Sequence, residues 1–150
     1  MKKSYFMTNL ITPTDVYGAD YFQKTWGDFF KDSPIFGGMW DYLLVDKDGK
    51  PTTVLEMKTT KRSEDWVEDV PEYYALQAAL YAYLLGVDDV IMVCSFLGDK
   101  DYENPDAYQC STENTIVRPF KLSERYPELK KTVKKVEKWW KTHVEGGVSP

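Results

Sequence analysis

An aspartate at position 41, a glutamate at 56 and a lysine at 58 are the residues of this chain best suited to chemistry. The last two stand in TTVLEMKTT (52–60), where Val54, Leu55 and Met57 with flanking threonines predict a β-strand. Side chains on a strand alternate between faces, so Glu56, Lys58 and Val54 share one face and Leu55 and Met57 the other. Two carboxylates are hard oxygen donors suited to a divalent cation. A lysine beside them can orient a water or offset charge on a phosphate. The plain alternative is a solvated strand face with an ordinary Glu–Lys attraction.

The element that must bring Asp41 to this group is MWDYLLV, joined to TTVLEMKTT by DKDGKP. Two apolar runs separated by a turn bearing Asp and Gly predict a β-hairpin. A loop centred on Asp48–Gly49 pairs Lys47 with Lys50 and Val45 with Thr52, so the numbers of each pair sum to 97. Asp41 then faces Glu56, with Cβ atoms about 4.5–5.5 Å apart. Like charges so placed repel across an empty sheet, and a bridging divalent cation reverses the sign. A bulge would shift this register by one.

Downstream, PEYYALQAALYAYLLG predicts a helix from Pro71 or Glu72 to Leu85, stopped by Gly86. Tyr73, Leu76, Leu80, Tyr83 and Leu84 form its expected core stripe, while Gln77 and Tyr81, four apart, are neighbours on one face. VIMVCSFL predicts a strand buried on both faces. SEDWVEDVPEYY and GDKDYENPDAY read as loops, AYQCSTENTIVRPF as one or two short strands, and Thr14 to Lys31 as a helix capped by Thr14 or Asp15. From Ser123 to Val144 an amphipathic helix is expected. Lys130, Lys131, Lys134, Lys135, Lys138 and Lys141 lie on one arc, and Leu129, Val133, Val136, Trp139 and Trp140 lie opposite. That arc reads either as a phosphate-contacting face, with Lys130, Lys134 and Lys138 as candidate DNA contacts, or as a solvated lysine face.

Composition bounds these readings. The 150 residues fit one domain, 43% hydrophobic and 29% charged, with net charge −5 and pI near 4.9. The acidic balance argues against a general nucleic-acid binder. It leaves room for an enzyme that meets DNA through a basic patch and a metal-loaded acidic site. No apolar run approaches the roughly 20 residues of a membrane span, and MKKSYFMTNL lacks the core of a secretory signal. Cys94 and Cys110 form no disulfide framework, so a reducing cytoplasm is expected. His143 anchors no nucleophile system, and no phosphate-binding GxxxxGK[ST] loop occurs.

An acid on one strand, Glu-x-Lys on the next and a helix carrying Gln-x-x-x-Tyr together resemble the PD-(D/E)XK nuclease superfamily, in particular its YqaJ and lambda-exonuclease branch. The residues that carry the resemblance are GGMWDYLLV, LEMKT, the tryptophan of EDW and YYALQAALYAYLLG, spanning roughly Ile35 to Leu97. The resemblance implies an α/β restriction-endonuclease-like core, a central mixed sheet flanked by helices. It also implies Mg²⁺, with Mn²⁺ as a substitute, held by Asp41, Glu56 and the backbone carbonyl of Met57. Lys58 would orient or help deprotonate a water, Gln77 would position Lys58 or the nucleophile, and Tyr81 would support the site or contact the DNA backbone. The implied activity is that of a phage-type recombination exonuclease acting on DNA, with a single-strand annealing protein as partner and homo-oligomeric rings. The alternative is a nuclease fold without catalysis, serving as a DNA- or protein-binding module. Trp40 stands where the superfamily name has proline. Relatives bring a further acid from an upstream helix, whereas no glutamate precedes Glu56 here; Asp28 and Asp32 are the nearest substitutes, and the N-terminus is short for the branch. Some relatives hold an iron–sulfur cluster with four cysteines, which two cysteines cannot do.

Overall fold

In the computed structural model, which describes residues 9–23, 29–30, 32–33 and 35–150, one mixed sheet carries the chemistry-bearing strands. Strand order follows the chain: β1 (Leu10–Ile11), β2 (Tyr42–Val45), β3 (Pro51–Thr60), β4 (Asp89–Phe96) and β5 (Thr115–Lys121). Neighbours are antiparallel except β3 and β4, which run parallel from Thr53↔Asp89 to Thr60↔Phe96. The protein is therefore α/β, with helices packed on the sheet.

The hairpin keeps the expected register by two compensating irregularities. Its loop is Lys47–Asp48–Gly49, with the Gly49 N–H bonded to the Asp46 carbonyl and Gly49 at φ +78°. A three-residue loop ending in a left-handed glycine centres on Asp48, and Val45 pairs with Pro51 rather than with Thr52 as expected. The register shifts between Leu44 and Val45, leaving Thr52 as the extra residue of a bulge. Beyond it Leu44↔Thr53, Leu43↔Val54 and Tyr42↔Leu55 return to the expected sum, and the next step puts Asp41 beside Glu56. Without the bulge Asp41 would face Leu55, and Glu56 would point to the other side.

The segment after β1 forms α1 (Pro13–Tyr17), a single short helix ended by Gly18. Its cap is Thr12, and Asp15 closes the reciprocal bond to the Thr12 N–H at 2.7 Å, so neither Thr14 nor Asp15 is the cap. Residues 24–28 and 31 of the expected Thr14–Lys31 helix lie outside the described residues.

A parallel pair needs a crossover, and α2 (Glu72–Leu85) supplies it between β3 and β4. Gly86 at φ +72° ends it, with the Val87 N–H returning to the Ala82 carbonyl. The face it turns to the sheet is not the expected aromatic and leucine stripe. Ala75, Ala78, Ala79 and Ala82 are fully buried with Tyr81, whereas Tyr73 and Leu76 are exposed. The helix is apolar all round, so periodicity offers no preferred face. Small alanines win because they let the helix axis approach the sheet closely.

The face of the sheet under α2 carries Leu43, Val54, Glu56, Val90, Met92 and Cys94, all buried. On the far face Met57 and Val117 are exposed and Leu55, Ile91 and Val93 are only half-buried. β4 is thus buried on one face, not both. After β4 come α3 (Asp99–Glu103), β5 and α4 (Leu122–Arg125); α3 occupies part of a stretch expected to be loop. The expected Ser123–Val144 helix is broken at Tyr126–Glu128, where Pro127 cannot continue an α-helix, and resumes as α5 (Leu129–Trp140). Leu129 and Val133 of α5 pack with Ala79, Leu80 and Tyr83 on the flank of α2. Among the described residues, no helix is long and apolar enough to cross a membrane.

Candidate active site

Asp41 and Glu56 lock the two hairpin strands to each other. The Asp41 N–H donates to Glu56 Oε1 at 3.0 Å, and the Met57 N–H donates to Asp41 Oδ2 at 2.9 Å. Each carboxylate thereby satisfies a backbone donor at the strand end where the ladder stops. Glu56 is 1% exposed, on the core side of β3 between Val54 and the half-buried Lys58. The strand face that could have been solvated is the one that α2 covers.

Burial makes this carboxylate hard to ionise. Loss of water, and after it the charge of Asp41, push Glu56 from the ordinary 4.5 up to about 8. The Asp41 N–H and the nearby Lys58 ammonium pull the other way and are outweighed. The chain has placed two acids together on the core side of a sheet, at the cost of suppressing one charge. Structural cores rarely contain such a pair, and catalytic sites often do.

Lys58 completes the group. Its Nζ lies 3.7 Å from Glu56 Oε2 and donates to Gln77 Oε1 at 3.3 Å. It also sits 5.1 Å above the centre of the Tyr74 ring. Tyr74 stacks on the buried Trp66, centroids 5.9 Å apart at 29°, and the Arg118 guanidinium holds the Trp66 and Val67 carbonyls at 3.5 and 2.9 Å. The ammonium is therefore fixed from three sides by an acid, an amide and an aromatic face.

Tyr81 lies one turn beyond Gln77 and is 6% exposed. Its ring stacks on Phe30 at 5.8 Å and presses against Gly38, where an added Cβ would overlap the ring. Burial and the charge of Glu56 raise its hydroxyl, opposed by hydrogen bonds from the Met39 N–H and the Gln77 side chain. A ring so enclosed offers DNA almost no surface; Tyr81 instead braces Gln77, and through it Lys58. Tyr74 and Gly38 belong to the site although their place in the sequence assigns them only to packing and to a chain break. The GG doublet ahead of MWD was the available signal for the second, because a glycine next to a helix marks close backbone approach.

The structure brings Asp41, Glu56, Lys58, Gln77 and Tyr81 together, and it places the lysines elsewhere. Lys130, Lys134 and Lys138 line the outward face of α5, with Lys131 paired to Glu128 at 3.3 Å. Asp32 is exposed and lines a separate cavity of about 490 Å³ with Tyr83, Leu84 and Lys130, so it does not supply the upstream acid. Asp28 lies outside the described residues. Among the described residues no group of three or more His, Cys, Asp or Glu gathers. The two carboxylates are nonetheless hard oxygen donors of the kind Mg²⁺ and Mn²⁺ take. A cation there would also relieve the repulsion that suppresses ionisation of Glu56.

No family model matches the chain, and no solved structure matches it. An uncharacterized protein of Mycoplasma genitalium, MG373, is 23% identical over 168 aligned positions, covering 85% of this chain. The chain spans 59% of the length of that relative.

Proposed function

We propose that this protein is a metal-dependent DNA nuclease of the restriction-endonuclease-like type, hydrolysing phosphodiester bonds with Asp41, Glu56, Lys58 and Gln77 as its catalytic group. The reading rests on Glu56, a buried carboxylate with a second acid on one side and a fixed ammonium on the other. Asp41, Glu56 and the Met57 carbonyl would hold Mg²⁺ or Mn²⁺, which when bound polarises the scissile phosphate and acidifies a water. Lys58 orients that water and offsets the charge that grows on the phosphate oxygens during attack. Gln77 shares the ammonium with Glu56 and fixes its position for the phosphate. Tyr74, backed by Trp66, shields one side of the same ammonium from bulk water, which strengthens its field.

The resemblance to the lambda-exonuclease branch extends this to an exonuclease that degrades duplex ends in the cytoplasm beside an annealing protein, as a homo-oligomer. Lys58→Ala tests the core of the reading. Cleavage of linear duplex DNA with Mg²⁺ is expected to fall by about 10²–10³-fold or more while the thermal midpoint stays within a few degrees. Undiminished cleavage would sink it.

A second reading has its own observation: only two carboxylates meet at the site, among the described residues. A nuclease fold that binds DNA or protein without cutting fits that count. Calorimetric titration with Mn²⁺ separates the two, because a catalytic site binds the ion and Glu56→Gln abolishes the binding. A module without catalysis has no need of either property.

A further inference from the structure

Beside the catalytic group runs a cleft of about 580 Å³. One wall is a single face of α2, formed by Tyr73, Leu76, Gln77 and Leu80 at helical spacing. The other is the backbone of Gly37–Met39, drawn close to the helix where Gly38 meets the Tyr81 ring. Gln77, which holds Lys58, is part of the wall itself. Tyr73 is 66% exposed and Leu76 44%, on the side of α2 turned away from its buried alanines. The Tyr73 ring leans on Tyr74 with centroids 4.1 Å apart, which leaves its outer face open.

We propose that this cleft receives the unpaired nucleobase next to the phosphate held at Lys58, with Tyr73 as its stacking platform, so that the preferred substrate is a single-stranded or frayed DNA end. This rests on the nuclease reading for the position of the phosphate, though not for the binding itself. A flat ring with apolar faces and a polar edge suits a slot walled by an aromatic and leucines, with a backbone and an amide to meet that edge. A base inside a duplex already has both faces stacked and cannot enter, whereas an unpaired one can. The charge agrees with a strand end at the slot: Gln77, part of its wall, holds the Lys58 ammonium beside it. The feature assigns a role to Tyr73 and Leu76, which a core stripe does not explain.

The test is binding without turnover. The full chain in EDTA is titrated into a short oligothymidylate carrying one 2-aminopurine at its end, and into a blunt duplex carrying it internally. Stacking on Tyr73 further quenches the fluorophore at the single-strand end, whereas the internal duplex probe, already dimmed by its stacked neighbours, keeps its intensity. Tyr73→Ala is expected to weaken single-strand binding by roughly 5- to 150-fold, from the about 1–3 kcal/mol of one base–aromatic stack. Tyr73→Phe retains both affinity and quenching. Equal quenching of the two probes, wild-type affinity in Tyr73→Ala, or no binding of the oligonucleotide at all each overturns the proposal. Because EDTA removes catalysis, quenching in a protein that never cuts DNA would keep the cleft and discard the nuclease. Lys58-dependent cleavage with an indifferent Tyr73 would do the reverse.

Discussion

Replacing Glu56 by glutamine is expected to stabilise the metal-free protein above neutral pH, although it changes one of the most buried side chains in the chain. Glu56 is raised from 4.5 to about 8, so between those values the folded state holds a proton that the unfolded state has released. Unfolding then sheds a proton, and stability falls as pH rises through the window, levelling off above about pH 8. A gap of that size corresponds to on the order of 4–5 kcal/mol at most, a large share of the roughly 5–15 kcal/mol that holds a domain together. Glutamine is neutral at every pH and copies the protonated acid. Its oxygen can accept the Asp41 N–H, and its amide can donate to the Asp41 carboxylate. Urea unfolding followed by tryptophan fluorescence in EDTA, from pH 5 to 8.5, measures the difference between the two proteins directly. Asp69, Glu72, Asp88 and Asp99 are all held below the ordinary carboxylate range and do not titrate in that interval. The wild-type curve should slope down against a flat variant curve. Saturating Mn²⁺ at pH 8 should raise the wild-type midpoint and leave the variant unmoved. A flat wild-type profile, or a variant less stable by several kcal/mol at pH 8, would refute the account of a buried acid awaiting a cation.

Three further outcomes are expected. Gly38→Ala forces the Tyr81 ring to move, so thermal denaturation should show a loss of about 1–3 kcal/mol, with a fall in any Lys58-dependent cleavage. Replacing Lys130, Lys134 and Lys138 together by alanine should weaken single- and double-stranded DNA alike and reduce the slope of log affinity against log salt by roughly 2–3; an unchanged slope would make α5 a merely solvated helix. Arg125→Met removes pairs to Asp69 at 3.1 Å and Glu72 at 3.3 Å, and calls for a loss of about 1–2 kcal/mol in urea unfolding at pH 7. The Val70 N–H and, after it, Arg125 hold Asp69 low, and the Tyr126 hydroxyl and, after it, Arg125 hold Glu72 low, so the Arg125 share of their stabilisation is present at pH 7 and lost as pH falls below about 4. The variant should therefore show a shallower acid limb.

Local chemistry makes much of this molecule legible in its sequence. Glycine with a left-handed backbone ends α2 at Gly86, the DKDG turn announces the hairpin, and period-two alternation puts Glu56 and Lys58 on one side of β3. The meeting of Asp41 with Glu56 follows from a symmetric loop about Asp48–Gly49. It is realised by an asymmetric loop and a bulge at Thr52 that cancel, because a three-residue turn suits the strand twist and the bulge restores the buried face. Alternation says which residues share a face and never which face meets the core. That was decided when α2 settled on the Glu56 side, turning a half-solvated strand into one with a suppressed charge. The orientation of α2 is tertiary too, since an all-apolar helix is turned by how closely its alanines let it approach, not by its pattern. Contacts between residues far apart in sequence, such as Trp66 under Tyr74 or Tyr81 against Gly38, depend on the whole sheet bringing loop and helix together. The residue types that could do chemistry were written in the chain; the burial that gives Glu56 its chemistry exists only once the sheet is covered.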